Sequence, residues 1–144
     1  MKIRVYFTSL FFVICVFAEA LAFVGPSCEV PKGWMVMETE AESNKDQQTI
    51  IDLDASTIRI GQPFSFNVSL CSDNEVKPDR MTVNAIMPAH QHGMNYTPTV
   101  SYIEESKSFE VDGFLFHMPG VWEITIASYQ GEDVTHYSKN ITVQ

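Results

Sequence analysis

Apolar and polar side chains alternate with a period of two over most of the chain beyond residue 60. This period is typical of β-strands that bury one face and expose the other. Helical periodicity is missing over any length that would predict a helix. We predict about seven strands and an eighth near 134–143; the seven lie at residues 49–54, 57–60, 63–71, 80–87, 98–103, 107–118 and 121–129.

Turn-forming sequences separate the predicted strands. They are GQP at 61–63, SDN at 72–74, MPG at 118–120 and QGED at 130–133. Glycine, proline, asparagine and aspartate favour the backbone conformations of tight turns. Short strands at this spacing predict an all-β fold, a two-sheet sandwich of about seven to eight strands.

The alternation slips inside the predicted strand 107–118, because the apolar residues before and after Gly113 lie on opposite faces. A glycine at such a point is typical of a β-bulge, which shifts the facing of the residues that follow it. The bulge predicts that Phe114, Phe116 and Met118 face the core and that His117 points outward.

The first residues have the features of a secretory signal peptide. Lys2 and Arg4 precede an apolar run over 5–17, and Ala20 and Ala22 offer two cleavage sites. The run is short for a membrane span, and an uncleaved N-terminal anchor is the alternative interpretation. The signal peptide at residues 1–22 predicts a periplasmic or secreted protein.

The remainder of the chain divides into a tail and a domain. Residues 23–48 are predicted to form an N-terminal tail and linker, within which the acidic, aperiodic stretch 38–48 is typical of a flexible connection. Residues 49–144 are predicted to form one sandwich domain. The whole chain carries a net charge of −9, which argues against a nucleic-acid partner and mildly favours cations.

Cysteine content points to a single disulfide bond. Cleavage of the signal peptide removes Cys15 and leaves Cys28 and Cys71 in a compartment where disulfides persist. We predict that these two residues pair. The alternative is that one of them is a metal ligand, which their distance in sequence from the histidines disfavours.

The segment MPAHQHGM at residues 87–94 concentrates metal ligands. Thioether sulfur selects Cu(I), whereas imidazole binds copper in both oxidation states and also zinc, so copper suits the mixture best. His90 and His92 can point the same way in an extended segment. Gly93 gives the backbone the freedom to turn Met94 back toward them.

A second ligand pair, His117-Met118, directly precedes the Pro119-Gly120 turn. If the two strand ends lie at one pole of the sandwich, His117 could complete a site with the histidines of the first segment. Spacing alone leaves this open, and a surface role for His117 is the alternative. Met87 and Met118 both continue core faces, so core packing competes with a ligand role for each.

Methionines 35 and 37 form a further pair beside Trp34. Two thioethers in a mobile tail could assist Cu(I) capture, or the pair could pack against the domain. His136, isolated in a predicted strand, is interpreted as an ordinary strand residue.

Several activities are disfavoured by what the chain lacks. A blue-copper electron carrier needs a cysteine thiolate beside its histidine and methionine ligands, and no cysteine follows Cys71. Neither a Cys-x-x-Cys motif nor a Ser/His/Asp arrangement stands out. No general base accompanies the candidate ligands, so we expect no enzymatic activity.

The sequence resembles the YtkA-like family of exported domains over roughly residues 50–130. The resemblance depends on IGQPF at 60–64, on the "MP" of 87–88 with its His/Met loop, on Pro98 and on GFLFHMPGVWEI at 113–124. It implies an immunoglobulin-like sandwich associated with copper handling. The positions that it marks for metal are Met87, His90, His92, Met94, His117 and Met118.

These observations together predict a periplasmic copper-binding protein that serves tolerance, storage or delivery. His90 and His92 are the principal predicted ligands, and Met94 and His117 follow. The expected partners are a copper ion and a copper-accepting or membrane protein. The alternative is an accessory sandwich module that binds another exported or membrane protein without metal, with the loop as a contact surface.

Overall fold

A computed structural model describes residues 29–39, 48–71 and 77–144. Strands dominate these residues, and the only helical segments among them are two short 3-10 turns, Ala55–Thr57 and Pro88–His90. The ten strands are β1 (Met35–Val36), β2 (Glu38–Thr39), β3 (Gln48–Ile51), β4 (Phe64–Cys71), β5 (Arg80–Met87), β6 (His92–Gly93), β7 (Thr99–Ile103), β8 (Ser108–Phe114), β9 (Gly120–Gln130) and β10 (Asp133–Val143).

The strands form two five-stranded antiparallel sheets. The first sheet has the order β1-β3-β4-β8-β7 and the second has the order β2-β10-β9-β5-β6. The long hairpin of β9 and β10 is the centre of the second sheet, with Ile126 opposite Tyr137. The predicted all-β, two-sheet sandwich is therefore confirmed, and three of the ten strands in the described part of the chain are only two residues long.

The core lies between the inner faces of the two sheets. Alternate residues of β5 and β9 are buried, as the period of two predicts. Burying one large apolar side chain contributes about 1.5 to 3 kcal/mol to folding. The largest fully buried side chains include Trp122, Tyr137, Phe114, Phe116, Ile51, Met87, Ile124 and Ile126.

The predicted strand at 57–60 is wrong. Asp54 instead caps the 3-10 turn Ala55–Thr57, because its carboxylate accepts a hydrogen bond of 2.9 Å from the backbone N–H of Ser56. The hydroxyl of Thr57 also donates to the Asp54 carbonyl at 2.8 Å. Local side-chain hydrogen bonds of this kind compete with strand pairing. Only Ile58 from this segment enters the core.

The bulge predicted at Gly113 is present. Between Phe64 and Phe66 on β4, the register with β8 shifts from Phe114 to Val111, and Gly113 has a φ of 75°. Phe114 and Phe116 are fully buried, as predicted. The strand itself ends at Phe114, earlier than the predicted limit at 118.

The sandwich includes part of the segment that the sequence assigned to a tail. β1 pairs with β3 through Val36 and Ile50, and β2 pairs with β10 through Thr39 and Tyr137. Between them Met37 is buried in the core, and this burial favours packing as the role of the methionine pair at 35 and 37. Residues 40–47 of the predicted flexible connection lie outside the described residues.

The predicted signal peptide and Cys28 also lie outside the described residues. Cys71, at the end of β4, is not a free thiol, and its pairing with Cys28 stays a prediction. Within the described part of the chain, no helix has the length and apolar character needed to cross a membrane.

Gly120 is the glycine whose replacement should disturb the fold most. Its φ is +134°, and a Cβ there would lie 2.9 Å from Cε of the buried Met87. Gly120→Ala is expected to lower the free energy of unfolding by about 2 to 3 kcal/mol, because it combines backbone strain with a displaced core side chain. Urea unfolding measures this loss.

The matched control for this prediction is Gly131→Ala. Gly131 also has a positive φ, of +59°, but no atom of the described residues lies within 4 Å of the point that a Cβ would occupy there. It should lose only about 1 kcal/mol, the cost of a left-handed conformation. Equal losses at the two positions would contradict a role for the Met87 contact.

Candidate metal centre

Strand pairing brings the two ligand-bearing segments to the same end of the second sheet. β5 ends at Met87, and β9 begins at Gly120 and runs antiparallel to it, with Ile86 opposite Glu123. The segment that follows β5 and the segment that precedes β9 therefore lie at the same end of the sheet. The sequence left this point open.

A tight reversal places the first segment beside the end of β5. The 3-10 turn Pro88–His90 is closed by a hydrogen bond of 3.3 Å from the Gln91 amide to the Pro88 carbonyl, and Gln91 adopts the left-handed conformation. The chain then returns as β6, which puts His92 opposite Met87. His92 consequently faces the same side of the sheet as the core.

Three of the predicted ligands come together as a result. The ring centroids of His92 and His117 are 5.2 Å apart, and those of His90 and His92 are 5.9 Å apart. His92 thus lies between the other two imidazoles. His90 is exposed, whereas His92 and His117 are half-buried. The prediction that His117 points outward is wrong, because its ring packs against a core side chain.

That side chain is Trp122, which forms the floor of the cluster. Its ring centroid lies 5.2 Å from that of His117 and 5.8 Å from that of His92, with interplanar angles of 76° and 77°. The indole N–H donates a hydrogen bond of 3.0 Å to the carbonyl of Met118. The sequence analysis did not single out Trp122 as part of a site, although its position two residues after the His-Met-Pro-Gly turn was a signal of this role.

The methionines of the two segments differ in burial. Met87 is 1% exposed and belongs to the core, which favours the packing interpretation for it. Met94 and Met118 are half-buried and pack against the core from its edge. The Met94 amide donates to the Ala85 carbonyl at 3.2 Å, which holds this residue against β5 just beyond β6.

Tyr96 connects the two segments. Its hydroxyl donates a hydrogen bond to the carbonyl of Leu115, two residues before His117. Burial raises the pKa of the Tyr96 phenol above its ordinary value of 10.0, against a smaller lowering from that hydrogen bond. The sequence did not reveal this role of Tyr96, since nothing in the spacing predicts a hydrogen bond across 19 positions.

Removal of this hydroxyl gives a testable prediction. Tyr96→Phe should lower the free energy of unfolding by about 1 kcal/mol at neutral pH. Because the pKa is raised in the folded chain, the contribution of the neutral phenol is complete below about pH 10 and is lost as the pH rises through the folded-state value. Urea midpoints should therefore fall less steeply above about pH 10 in Tyr96→Phe than in the wild type.

Tyr129→Phe is the matched control for this measurement. The Tyr129 ring lies on β9 under the guanidinium of Arg80, 3.7 Å from its carbon. Equal effects of the two substitutions, both on stability at neutral pH and on the loss of stability above about pH 10, would contradict a specific contribution of the Tyr96–Leu115 hydrogen bond.

The spacing of the imidazoles suits a shared ion. A metal–nitrogen bond is about 2 Å, which places the ring centroids of two imidazoles on one ion roughly 5 to 6 Å apart. Both measured separations fall in this range. Across residues 29–39, 48–71 and 77–144, no group of three or more His, Cys, Asp or Glu side chains is arranged to hold a metal ion.

The fold and this cluster define an all-β sandwich with a histidine- and methionine-rich end. No protein-family model, curated protein or solved structure matches the chain. The resemblance to the YtkA-like family accordingly stays a prediction, and the function has to be argued from the site itself.

Proposed function

We propose that this chain is an exported, non-enzymatic copper-binding protein that serves copper tolerance, storage or delivery. The observation that carries the proposal is the position of His92 between His90 and His117 at one end of the sandwich. These imidazoles come from two segments far apart in sequence, and half-buried methionines flank both segments. Mixed imidazole and thioether ligands favour copper over harder ions.

The burial of the three histidines supports exchange of the ion rather than permanent retention. His90 is exposed at the rim, whereas His92 and His117 lie deeper against Trp122. An incoming ion would meet His90 first and pass to the deeper pair. The net charge of −9 attracts cations to the protein as a whole. Export and the Cys28–Cys71 disulfide belong to the same proposal, since both follow from the predicted signal peptide.

A second candidate function is supported by two exposed apolar side chains at the same end of the second sheet. Ile86 is 38% exposed and Val121 is 49% exposed. They lie on the strands whose ends form the cluster, and Ile86 pairs with Glu123. An accessory module that binds another exported or membrane protein without metal would use this surface.

The test is titration of the purified protein with Cu(I) under anaerobic conditions and with Cu(II) in air, each against a competing chelator. The His90→Ala, His92→Ala double variant should lose stoichiometric binding. His136→Ala, an exposed histidine of β10, is the matched control and should bind as the wild type does. Wild-type binding no tighter than that of a lone surface histidine would contradict the copper proposal and favour the second candidate.

A further inference from the structure

We infer that the site selects monovalent copper, with His92, His117 and the thioether of Met94 as its three ligands. The inference rests on the proposed function and adds the oxidation state and the ligand set. Its basis is the neutral, apolar and ligand-poor character of the cluster.

Charge is the first reason. Imidazole and thioether are both neutral ligands, so nothing in the set offsets the charge of a bound ion. Beside the imidazole pair lie the fully buried Trp122 and the core methionine Met87, which is opposite His92 in the sheet. The acidic residue next to Trp122 is Glu123, which alternation along β9 places on the opposite face of the sheet. The Born cost of desolvation rises with the square of the charge, so a divalent ion costs about four times as much as a monovalent one of the same size.

Ligand number is the second reason. Zinc in proteins takes four ligands, usually from Cys, His, Asp and Glu, and Cu(II) prefers a tetragonal set of nitrogen and oxygen. Within the described residues no three such side chains are arranged around one point. The close imidazole pair, 5.2 Å apart between ring centroids, provides two nitrogen ligands. Cu(I) accepts such a small set when soft sulfur completes it.

The direction of the backbone indicates which methionine supplies the sulfur ligand. Met94 follows His92 by two residues, and its amide continues the pairing of β6 with β5 through Ala85. Residues two apart in an extended segment point to the same face. Met118, in contrast, directly follows His117, and its carbonyl is held by the Trp122 indole. Met118 lies in a bend outside the strands, so no strand pairing directs its side chain toward the imidazole pair, and Met94 is better placed to join that pair.

The experiment compares Cu(I), Ag(I), Cu(II) and Zn(II) on the purified protein, with competing chelators for each ion. Ag(I) is the redox-inert monovalent probe. Tryptophan fluorescence in a Trp34→Phe background reports on the site through Trp122, since the chain has two tryptophans. We expect Cu(I) and Ag(I) to bind one ion per chain, at least about 100-fold more tightly than Zn(II) and Cu(II).

Methionine variants test the ligand set. Met94→Leu should weaken Cu(I) binding by about 10-fold or more and leave Zn(II) binding unchanged. Met118→Leu is the matched control, because both replacements conserve volume and should keep the fold, as thermal melts will show. Loss at Met118 instead of Met94 would overturn the assignment of the sulfur. Tighter binding of Cu(II) or Zn(II) than of Cu(I) would overturn the inferred selectivity, and absence of binding by every ion would overturn the proposed function itself.

Discussion

Trp122→Ala is expected to lower the free energy of unfolding by about 4 to 5 kcal/mol. The side chain is fully buried, and truncation of a buried tryptophan costs about 3 to 5 kcal/mol. The indole also packs at 5.1 Å from Phe116 and donates to the Met118 carbonyl, so the substitution leaves a cavity and removes a hydrogen bond of about 1 kcal/mol. Since a domain is stable by about 5 to 15 kcal/mol, this one change removes much of the total.

Two comparisons make this prediction specific. Trp34→Ala alters the other tryptophan, which is half-buried near the start of the described chain, and should cost about 1 kcal/mol. Trp122→Phe keeps most of the packing but loses the hydrogen bond, and should cost about 1 to 2 kcal/mol. Urea unfolding measures all three. A Trp122→Ala loss no greater than that of Trp34→Ala would mean that the indole does not organise this end of the sandwich.

The second large effect is expected at His92, for copper affinity rather than stability. His92 contacts both His90 and His117, so its removal separates the exposed histidine from the deeper one. Mutation of a residue that only orients a metal ligand lowers metal affinity by about 10- to 100-fold. We therefore expect His92→Ala to weaken copper binding by at least about 100-fold.

His117 and His90 should differ in the same assay. His117→Ala should match His92→Ala, and the double variant should be little worse than either, because two ligands of one ion are strongly coupled. His90→Ala should cost about 10-fold or less, since this imidazole is exposed at the rim. Chelator competition measures each affinity. If His90→Ala had the largest effect, the binding site would lie in the loop and not between the two segments.

This ranking differs from the one that the sequence suggested. Spacing alone favoured His90 with His92, because the two residues are close in the chain and can point the same way in an extended segment. The 3-10 turn Pro88–His90 puts them at different depths instead, because His92 enters β6 whereas His90 stays exposed outside the sheet. A two-residue strand flanked by such a turn has no clear periodic signature, so the sequence could not reveal this division.

Local pattern was enough to determine most of the strands. Residues 80–87 form β5 with the predicted limits. The bulge at Gly113 could be predicted as well, because the apolar residues before and after this glycine lie on opposite faces of the strand. The failure at 57–60 had a local cause too, since Asp54 offers the backbone a competing hydrogen bond. The candidate ligands could also be named from the sequence, because ligand chemistry depends on residue type.

Only the tertiary structure decided which of the candidate ligands lie together. The antiparallel register of β5 with β9 puts Ile86 opposite Glu123, and this pairing of residues 37 positions apart brings His92 to His117. The same register places Trp122 beneath both imidazoles and turns His117 inward. Alternation reports which face a residue occupies, but it carries no information about the neighbouring strand. The candidate site depends on long-range pairing, whereas the sandwich and the candidate ligands follow from local sequence.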